Sequence, residues 1–485
     1  MPLTNLTPAS VWKYFDEIRQ IPRCSGNEAG AREWVLKIAE EKGFAAQQDD
    51  VGNVVVKVPA SPGFENAPTV ILQGHLDMVG EKNSDVDHDF DKDPIQVEVD
   101  GEWLTAKGTT LGADNGIGVA AGLAAATDPD VVHGPLELLM TVDEETGLTG
   151  AGQLATGMLD GKILLNLDSE ELGAVFIGCS GGGDSNISLP LEWADAPTGS
   201  TALKVRVTGL RGGHSGLDIH EQRGNAIKVL TRALWEADRK FSLSLASIDG
   251  GNKRNAIPRE SEAVVCVGGG DIEEFKAHIA RLQSTLADEL GGKEPDLGLH
   301  VDAADGVPAR VMAANTKKML LNMLMAIPHG VVTMSYDIPG LVETSTNLAT
   351  VKTEGDAALV GCSTRSSMKD ALQTVRDAIR SVSELAGADI VQNEQYPGWK
   401  PNLDSPVLKV FGDVHKKVFG KEPEVMAIHA GLECGIIGEK YPGTDMISFG
   451  PDIENPHSPD ERINIPSVDK FWELLKEVLG TLARS

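Results

Sequence analysis

Residues 69–79, TVILQGHLDMV, join a short apolar run to a histidine and an aspartate. Residues 136–145, LELLMTVDEE, and residues 163–168, ILLNLD, repeat this arrangement with acidic residues after the run. Short, almost continuous apolar runs are typical of strands buried in a parallel sheet. Open α/β sheets carry their functional residues just beyond the carboxyl ends of the strands. The three runs therefore predict an α/β domain with a mostly parallel sheet and a site at one edge of it.

Helices are predicted on either side of this sheet. Apolar residues recur at helical spacing over 9–20 and 29–42. The segment 116–127, GIGVAAGLAAAT, consists mostly of small residues. It predicts a helix that packs closely on the sheet.

The pattern changes near Gly181. Residues 201–208 alternate between apolar and polar side chains, which is typical of an antiparallel strand with one face in water. The order strand, helix, strand, strand, helix, strand then follows as far as residue 301 and predicts a ferredoxin-like α+β fold. A partly similar order recurs over residues 314–392, so the domain is either tandem or enlarged.

The first pattern returns after residue 398 with a helix, a strand and the segment PDIENPHSPDE. His457 in this segment belongs with the candidate ligands of the first part. The catalytic domain is therefore predicted to be discontinuous, comprising residues 1–185 and 399–485. Residues 186–398 are predicted to form an inserted lid domain with a ferredoxin-like antiparallel sheet.

Histidines and acidic residues stand at each of these points in the chain. They are His75, Asp77, Asp114, Glu144, Glu145, Asp168 and His457. Imidazole nitrogen and carboxylate oxygen are the donors that a two-zinc hydrolytic site requires. The set predicts an enzyme that cleaves amide bonds with metal-activated water.

The first of these residues suggest separate tasks. Strand-like alternation puts His75 and Asp77 on one side, so Asp77 can accept the second ring N–H of His75 and orient it. Asp114 precedes a predicted helix and is either an N-cap or a carboxylate that bridges two ions. Of the adjacent Glu144 and Glu145, one is expected to ligate a metal while the other serves as general base.

The remaining ligands are less sharply defined by the sequence. Asp168 is followed by Ser169, Glu170 and Glu171, and any of these acids could be the ligand. His457 lies between prolines in NPHSP, which predicts a rigid loop. Such a loop is a good holder for a ligand, although a purely structural histidine is also compatible with it.

Composition excludes several other functions. The net charge is −29, which leaves no excess of basic residues to bind nucleic acid. No apolar stretch reaches the roughly 18 residues that span a bilayer, and no signal peptide is recognisable. The five cysteines are scattered and never form a Cys-x-x-Cys pair, which indicates reduced thiols in a cytoplasmic protein.

Five motifs together resemble one protein family. They are HLDMV, TTLGADNGIG, TVDEETGLTGA, GLRGGHSG and GPDIENPHSPDE. The chain resembles the zinc peptidase family of aminoacylases, glutamate-releasing carboxypeptidases and cytosolic dipeptidases. It is most similar to the bacterial aminoacyl-histidine dipeptidase branch, whose members are also called Xaa-His or carnosinase-like dipeptidases. The resemblance implies hydrolysis of small unblocked dipeptides, such as β-alanyl-histidine, with two zinc ions per chain.

The resemblance also implies a role for each residue of the set. His75 and Asp168 hold one zinc, Glu145 and His457 hold the other, and Asp114 bridges both. Asp77 orients His75, and Glu144 is the general base. A cis peptide between Asp114 and Asn115 is implied as well.

Four residues are candidates for contacts with the substrate. In similar enzymes the histidine of GLRGGHSG, here His214, stabilises the oxyanion. Asn255 in NAIPRE and Arg365 in STRSS are candidates for binding the free α-carboxylate, because arginine suits bidentate binding. Glu433 lies in HAGLEC, which resembles a loop that lines the substrate pocket.

Two alternative functions remain open at this point. One is another amide hydrolase of the same family, either an N-acyl amino acid deacylase or a tripeptidase. The other is a non-catalytic metal-binding protein, which the intact Glu144–Glu145 pair argues against. Cobalt or manganese suits the same donors as zinc. The resemblance implies a homodimer, and the enlarged insert leaves open whether a dimer is required.

Overall fold

The computed structural model describes residues 3–485. The chain forms two units. The first contains the chain up to Cys179, Trp399–Ala427 and Leu432–Ser485. The second contains Ser180–Gly398 and Ile428–Gly431.

An eight-stranded sheet is the centre of the first unit. In spatial order its strands are Ala45–Gln48, Val54–Val58, Leu136–Thr141, Val70–His75, Ile163–Asn166, Asp445–Ser448, Ala174–Cys179 and Glu424–Ile428. The four strands from Leu136–Thr141 to Asp445–Ser448 are parallel. Every residue of Val70–His75 and Leu136–Thr141 is buried, as their apolar runs predict. The predicted α/β fold is confirmed, with antiparallel strands added outside the parallel centre.

Helices of the first unit pack around this sheet. They are Ala9–Ile18, Ala29–Lys42, Ala113–Thr127, Thr149–Gln153, Pro406–Phe419, Glu433–Lys440 and Ile465–Ala483. The small residues of Ala113–Thr127 permit a close approach to the strands. A Cβ atom at Gly118 would lie 2.5 Å from the carbonyl oxygen of Leu167. This helix carries Asp114 near its N-terminus.

A small antiparallel sheet also belongs to the first unit. Its strands, in order, are Ile453–Glu454, Arg462–Asn464, Trp103–Ala106 and Val97–Asp100. The first two strands pair with each other and enclose residues 455–461. The loop that carries His457 is therefore the connection of a hairpin.

A nine-stranded antiparallel sheet organises the second unit. One half consists, in chain order, of Ser200–Thr208, helix Ala226–Asp238, Ser244–Gly250, Ser261–Gly268, helix Ile272–Leu290 and Gly298–Ala303. Its strands lie in the order fourth, first, third, second. This is the predicted ferredoxin-like arrangement, and it is confirmed.

The other half has the same strand order. It consists of Gly181–Pro190, helix Ala314–Ala326, Val342–Glu354, Ala357–Ser366, helix Lys369–Leu385 and Asp389–Gln392. Its first strand, Gly181–Pro190, comes before the whole first half in the chain. The recurrence predicted from residue 314 onward therefore missed this strand. Three glycines at the start of Gly181–Pro190 hide that strand in the sequence. They are needed for close packing, since a Cβ atom at Gly182 would lie 2.5 Å from Tyr396 Cζ.

The two halves join into one sheet through their second strands. Ser244–Gly250 pairs with Val342–Glu354 at Asp249–Lys352 and Gly250–Val351. The helices of both halves bury one face against a shared core that includes Leu230, Phe275 and Leu320. No helix within residues 3–485 is both long and apolar enough to cross a membrane.

Shorter elements complete the second unit. Trp193–Asp195 pairs with Arg310–Met312, Gly213–His214 pairs with Ala256–Ile257, and Gly330–Met334 lies along Val342–Glu354. Leu3–Asn5, Ile219–Glu221 and Gly291–Lys293 are short 3-10 helices.

Candidate metal centre

The carboxyl ends of three adjacent parallel strands bring the predicted ligands together. His75 is the last residue of Val70–His75. Asp168 follows Ile163–Asn166, and Glu145 follows Leu136–Thr141. Asp114 stands near the start of its helix, joined to Asn115 by a cis peptide bond.

Asp114 lies between two histidines. Its Oδ1 atom is 3.0 Å from His75 Nε2, and its Oδ2 atom is 3.0 Å from His457 Nε2. His75 Nε2 is also 3.3 Å from Asp168 Oδ1, and His457 Nε2 is 3.0 Å from Glu145 Oε2. Each imidazole thus faces Asp114 and one further carboxylate. The five side chains thus form two groups that share Asp114.

The donor atoms of this cluster fit divalent cations. Donor atoms of His75, Asp114 and Glu145 all lie within 4.8 Å of one another. Within the described part of the chain, Glu145 Oε1 and Asp168 Oδ1 are buried and form no hydrogen bond of good geometry, although Asp168 Oδ1 lies 3.3 Å from His75 Nε2. Orphaned buried carboxylate oxygens carry a desolvation cost that a bound cation removes. The residues present therefore fit a pair of metal ions.

The shifted pKa values of these side chains also indicate that the cluster favours added positive charge. Burial lowers the pKa of His75, but Asp168 and Asp114 outweigh burial and hold it well above its usual range. Hydrogen bonds to Asp114 and Glu145 raise the pKa of His457 to about 11. Burial raises the pKa of Asp168 to about 6. Metal ligands must lose their protons, so bound cations would take the place of protons on the histidines.

Asp77 links His75 to the loop of adjacent glutamates. It is buried, and its Oδ1 atom lies 3.4 Å from His75 Nδ1. The same carboxylate accepts the backbone N–H groups of Glu144 at 3.0 Å and Glu145 at 3.1 Å. Asp77 is thus placed to orient the imidazole and to hold the turn that carries both glutamates.

The residue pattern alone did not distinguish between neighbouring acids, but their contacts and burial in the structure differ. Glu145 faces His457. Glu144 has a pKa well above its usual range, raised first by burial and then by the charges of Asp168, Glu433 and Glu145. Asp168 faces His75, while Glu171 is exposed. Glu170 is partly buried, and burial raises its pKa to about 8.

Two charged residues near this cluster were missed by the sequence reasoning. Arg23 and Glu461 are each only 2% exposed. Arg23 donates to the carbonyl oxygens of Leu76 and Asp77, and Glu461 accepts backbone N–H groups just before and at Asp114. Glu461 is the last residue of the motif GPDIENPHSPDE, whereas Arg23 lies outside the five motifs. In neither case does the local sequence show that the charge is buried.

Glu433 belongs to the first unit and contacts side chains near the carboxyl ends of two parallel strands. It is fully buried at the start of Glu433–Lys440. Its Oε2 atom accepts hydrogen bonds from Gln73 Nε2 at 2.6 Å and Thr141 Oγ1 at 2.7 Å. Burial raises its pKa to about 7. Its predicted contact with substrate stays a prediction.

The second unit carries the other substrate candidates. His214 Nδ1 accepts the backbone N–H groups of Gly216 at 3.3 Å and Leu217 at 3.0 Å. Burial and then Arg365 lower the pKa of His214, which favours the neutral ring. Because Nδ1 is an acceptor, the proton of the neutral ring is on Nε2. His214 can therefore donate a hydrogen bond from Nε2.

Arg365 is a cation close to two histidines of the second unit, His214 and His429, and its charge disfavours their protonation. Its Nη1 atom donates to Tyr396 Oη at 3.2 Å, and among residues 3–485 its buried Nε atom meets no hydrogen-bond acceptor. His429, the first residue of HAGLEC, contacts Ser345 Oγ through Nε2 at 2.7 Å. Burial, then Arg365 and His214, lower the pKa of His429 to about 3. Asn255 is exposed.

The first unit is thus an α/β domain whose mostly parallel sheet carries candidate metal-binding histidine and carboxylate groups at one edge. Residues 71–481 match the model of peptidase family M20/M25/M40, and the chain belongs to this family. The family resemblance in the sequence is thereby confirmed.

Individual proteins are also similar to this chain. The chain is 42% identical over 477 residues to the cytosol non-specific dipeptidase of Escherichia coli, covering 98% of each. It matches the structure of aminoacylhistidine dipeptidase from Vibrio alginolyticus with a TM-score of 0.93, 43% identity, and coverage of 99% of this chain and 98% of that one. A tripeptidase from Staphylococcus aureus shares the fold, with a TM-score of 0.57, 17% identity, and coverage of 99% and 100%.

Replacing His457 with alanine tests the second ligand group. After chelation and reloading, the unchanged protein should hold about two zinc ions per chain, as a two-metal site does. His457→Ala removes the imidazole that faces Glu145 and should hold about one, measured by elemental mass spectrometry. His88→Ala is the control, because His88 lies in a separate acidic segment of the same unit. An unchanged zinc content in His457→Ala would refute a ligand role for His457.

Proposed function

We propose that this chain is a two-metal dipeptidase that hydrolyses unblocked dipeptides, including Xaa-His dipeptides such as β-alanyl-histidine. The main support for this proposal is the position of Asp114, whose two carboxylate oxygens each lie 3.0 Å from a different imidazole. The names of the two relatives above 40% identity support the substrate class. They favour a dipeptidase over an N-acyl amino acid deacylase or a non-catalytic metal-binding protein.

The proposed metal ligands follow the two groups in the structure. His75 and Asp168 would hold one ion, Glu145 and His457 would hold the other, and Asp114 would serve both. Zinc suits these nitrogen and oxygen donors, and cobalt and manganese suit them too. When bound, the two ions lower the pKa of a water molecule and polarise the carbonyl of the scissile peptide.

Glu144 is the proposed general base. Its carboxylate takes a proton from the attacking water and returns a proton to the departing amine. Asp77 accepts the backbone N–H of Glu144 and so holds the base in place. The side chain is partly buried, and exclusion of water strengthens its interactions with the reacting groups.

The second unit is proposed to act on the substrate. His214 donates from Nε2 to the oxyanion of the tetrahedral intermediate. Arg365 binds the α-carboxylate, since its guanidinium has donors in excess of its bond to Tyr396. Asn255 and Glu433 complete the proposed substrate-binding set.

The arrangement of domains is also part of this proposal. Residues 1–185 and 399–485 form the catalytic domain, and residues 186–398 form the lid. We propose a cytoplasmic homodimer, following the family resemblance. The name of the Escherichia coli relative and the five free cysteines support the location.

Glu144→Gln separates base catalysis from metal binding. The amide keeps the shape of the side chain but cannot accept a proton, so kcat for a dipeptide should fall by about 10²- to 10⁴-fold. The zinc content should stay that of the unchanged protein. Glu171→Gln, an exposed acid of the same unit, is the control and should keep full activity. Wild-type turnover by Glu144→Gln would rule out this base.

Arg365→Ala tests recognition of the α-carboxylate. The unchanged enzyme should prefer a dipeptide with a free carboxylate over the same dipeptide as its amide. Loss of a charge-assisted hydrogen bond should raise KM for the free dipeptide by about 10- to 100-fold and leave KM for the amide nearly unchanged. Arg254→Ala, whose guanidinium pairs with Asp184 at 3.0 Å, is the control. If Arg365→Ala retains the preference for the free dipeptide, this role is wrong.

A further inference from the structure

We propose that Glu461 is a positioning residue that holds two candidate metal ligands, Asp114 and His457, at a fixed separation. This inference rests on the proposed metal centre. Glu461 lies four residues after His457 and makes its bonds to the segment that carries Asp114. One buried carboxylate therefore connects the two parts of the chain that face each other across the site.

Four backbone N–H groups bind the Glu461 carboxylate. Oε2 accepts from Leu111 at 2.7 Å and Gly112 at 3.0 Å. Oε1 accepts from Ala113 at 2.8 Å and, more weakly, from Asp114 at 3.3 Å. Both oxygens act only as acceptors, and an ionised carboxylate is the side chain with that property. The backbone of residues 111–114 is thus attached to Glu461 through its N–H groups.

The other end of Glu461 belongs to the loop of His457. The backbone N–H of Glu461 donates to the carbonyl oxygen of Ser458 at 3.0 Å. Ser458 Oγ in turn donates to the carbonyl oxygen of Asn455 at 2.9 Å. Pairing of Ile453–Glu454 with Arg462–Asn464 closes the loop. A displacement of Glu461 would therefore displace His457 as well.

Arg23 holds the segment before Asp114 by donating to a backbone carbonyl oxygen of that segment. Its guanidinium donates to the carbonyl oxygen of Gly112 and also to those of Leu76 and Asp77, at 2.9 Å and 2.7 Å. The segment before Asp114 is thereby attached to the loop that follows His75. With Glu461, this bonding fixes Asp114 relative to both histidines before any metal binds.

Such fixed ligands should bind metal more tightly, because less ordering accompanies binding. Glutamine at position 461 would turn an amide NH₂ group toward backbone N–H donors. Two or more of the four bonds would then be lost, although the side chain keeps its size. Partners that orient metal ligands typically change metal affinity by about 10- to 100-fold when they are removed.

The experiment compares Glu461→Gln with the unchanged full-length protein, both stripped of metal. Zinc is titrated by calorimetry, and Tm is measured with and without zinc. We expect zinc binding to weaken by about 10- to 100-fold in the variant. The rise in Tm on adding zinc should shrink, since ligand stabilisation follows affinity. A residue that only stabilises the fold would lower both Tm values equally.

Glu137→Gln is the matched control. Glu137 is also 2% exposed, belongs to the same unit and accepts backbone N–H groups from Asp160 and Gly161. Within residues 3–485 its carboxylate contacts Lys57, Asp160 and Gly161, none of which is a proposed metal ligand. This variant should lower Tm in both states while its zinc affinity and its zinc-dependent rise in Tm stay those of the unchanged protein.

Two results would overturn the proposal. One is wild-type zinc affinity in Glu461→Gln, and the other is an equal loss of affinity in Glu137→Gln. If Glu461→Gln does not fold, Glu461→Asp decides by the same criteria, because it keeps the charge but cannot reach all four N–H groups. Absence of zinc binding by the unchanged protein would overturn the proposed metal centre itself, and this inference with it.

Discussion

The arrangement of the first unit depends on one electrostatic conflict. The two oxygens of Asp114 each lie 3.0 Å from an imidazole nitrogen, and two further carboxylates approach the same nitrogens. A neutral imidazole and a carboxylate both present lone pairs, so only a shared proton or a cation makes these distances favourable. Burial makes the conflict stronger, because little water remains to screen it. The parallel strands bring these groups together, and a shared proton or a bound cation would relieve the repulsion.

Much of this arrangement could be predicted from the sequence, because His75, Glu145 and Asp168 each follow an apolar run. Runs such as 70–75 and 136–141 form neighbouring parallel strands, so their carboxyl ends meet at one edge. Adjacent acids were harder to separate. Whether Glu144 or Glu145 faces His457 depends on the backbone after the strand, where one residue changes the direction of the side chain. The residue pattern left this open, the family resemblance implied Glu145, and in the structure Glu145 faces His457.

Other features left little trace in the sequence. Arg23 and Glu461 bind backbone groups, and backbone contacts require no complementary residue that a pattern could reveal. The second unit was predicted as ferredoxin-like, but one ferredoxin-like half is inserted between the first strand and first helix of the other. That first strand, Gly181–Pro190, begins with three glycines and has no clear alternation at its start. Sequence patterns describe local periodicity and do not record which distant strands become neighbours.

The most direct test of the account is a hydrolysis assay with metal removed and restored. β-Alanyl-histidine and a few α-dipeptides are compared with N-acetyl amino acids, first after chelation and then after addition of zinc or cobalt. The account predicts that only the dipeptides are cleaved, that chelation abolishes cleavage and that the metal restores it. Cleavage of the N-acetyl amino acids alone would contradict the dipeptidase assignment. Dipeptide cleavage that survives full removal of metal would contradict the metal centre.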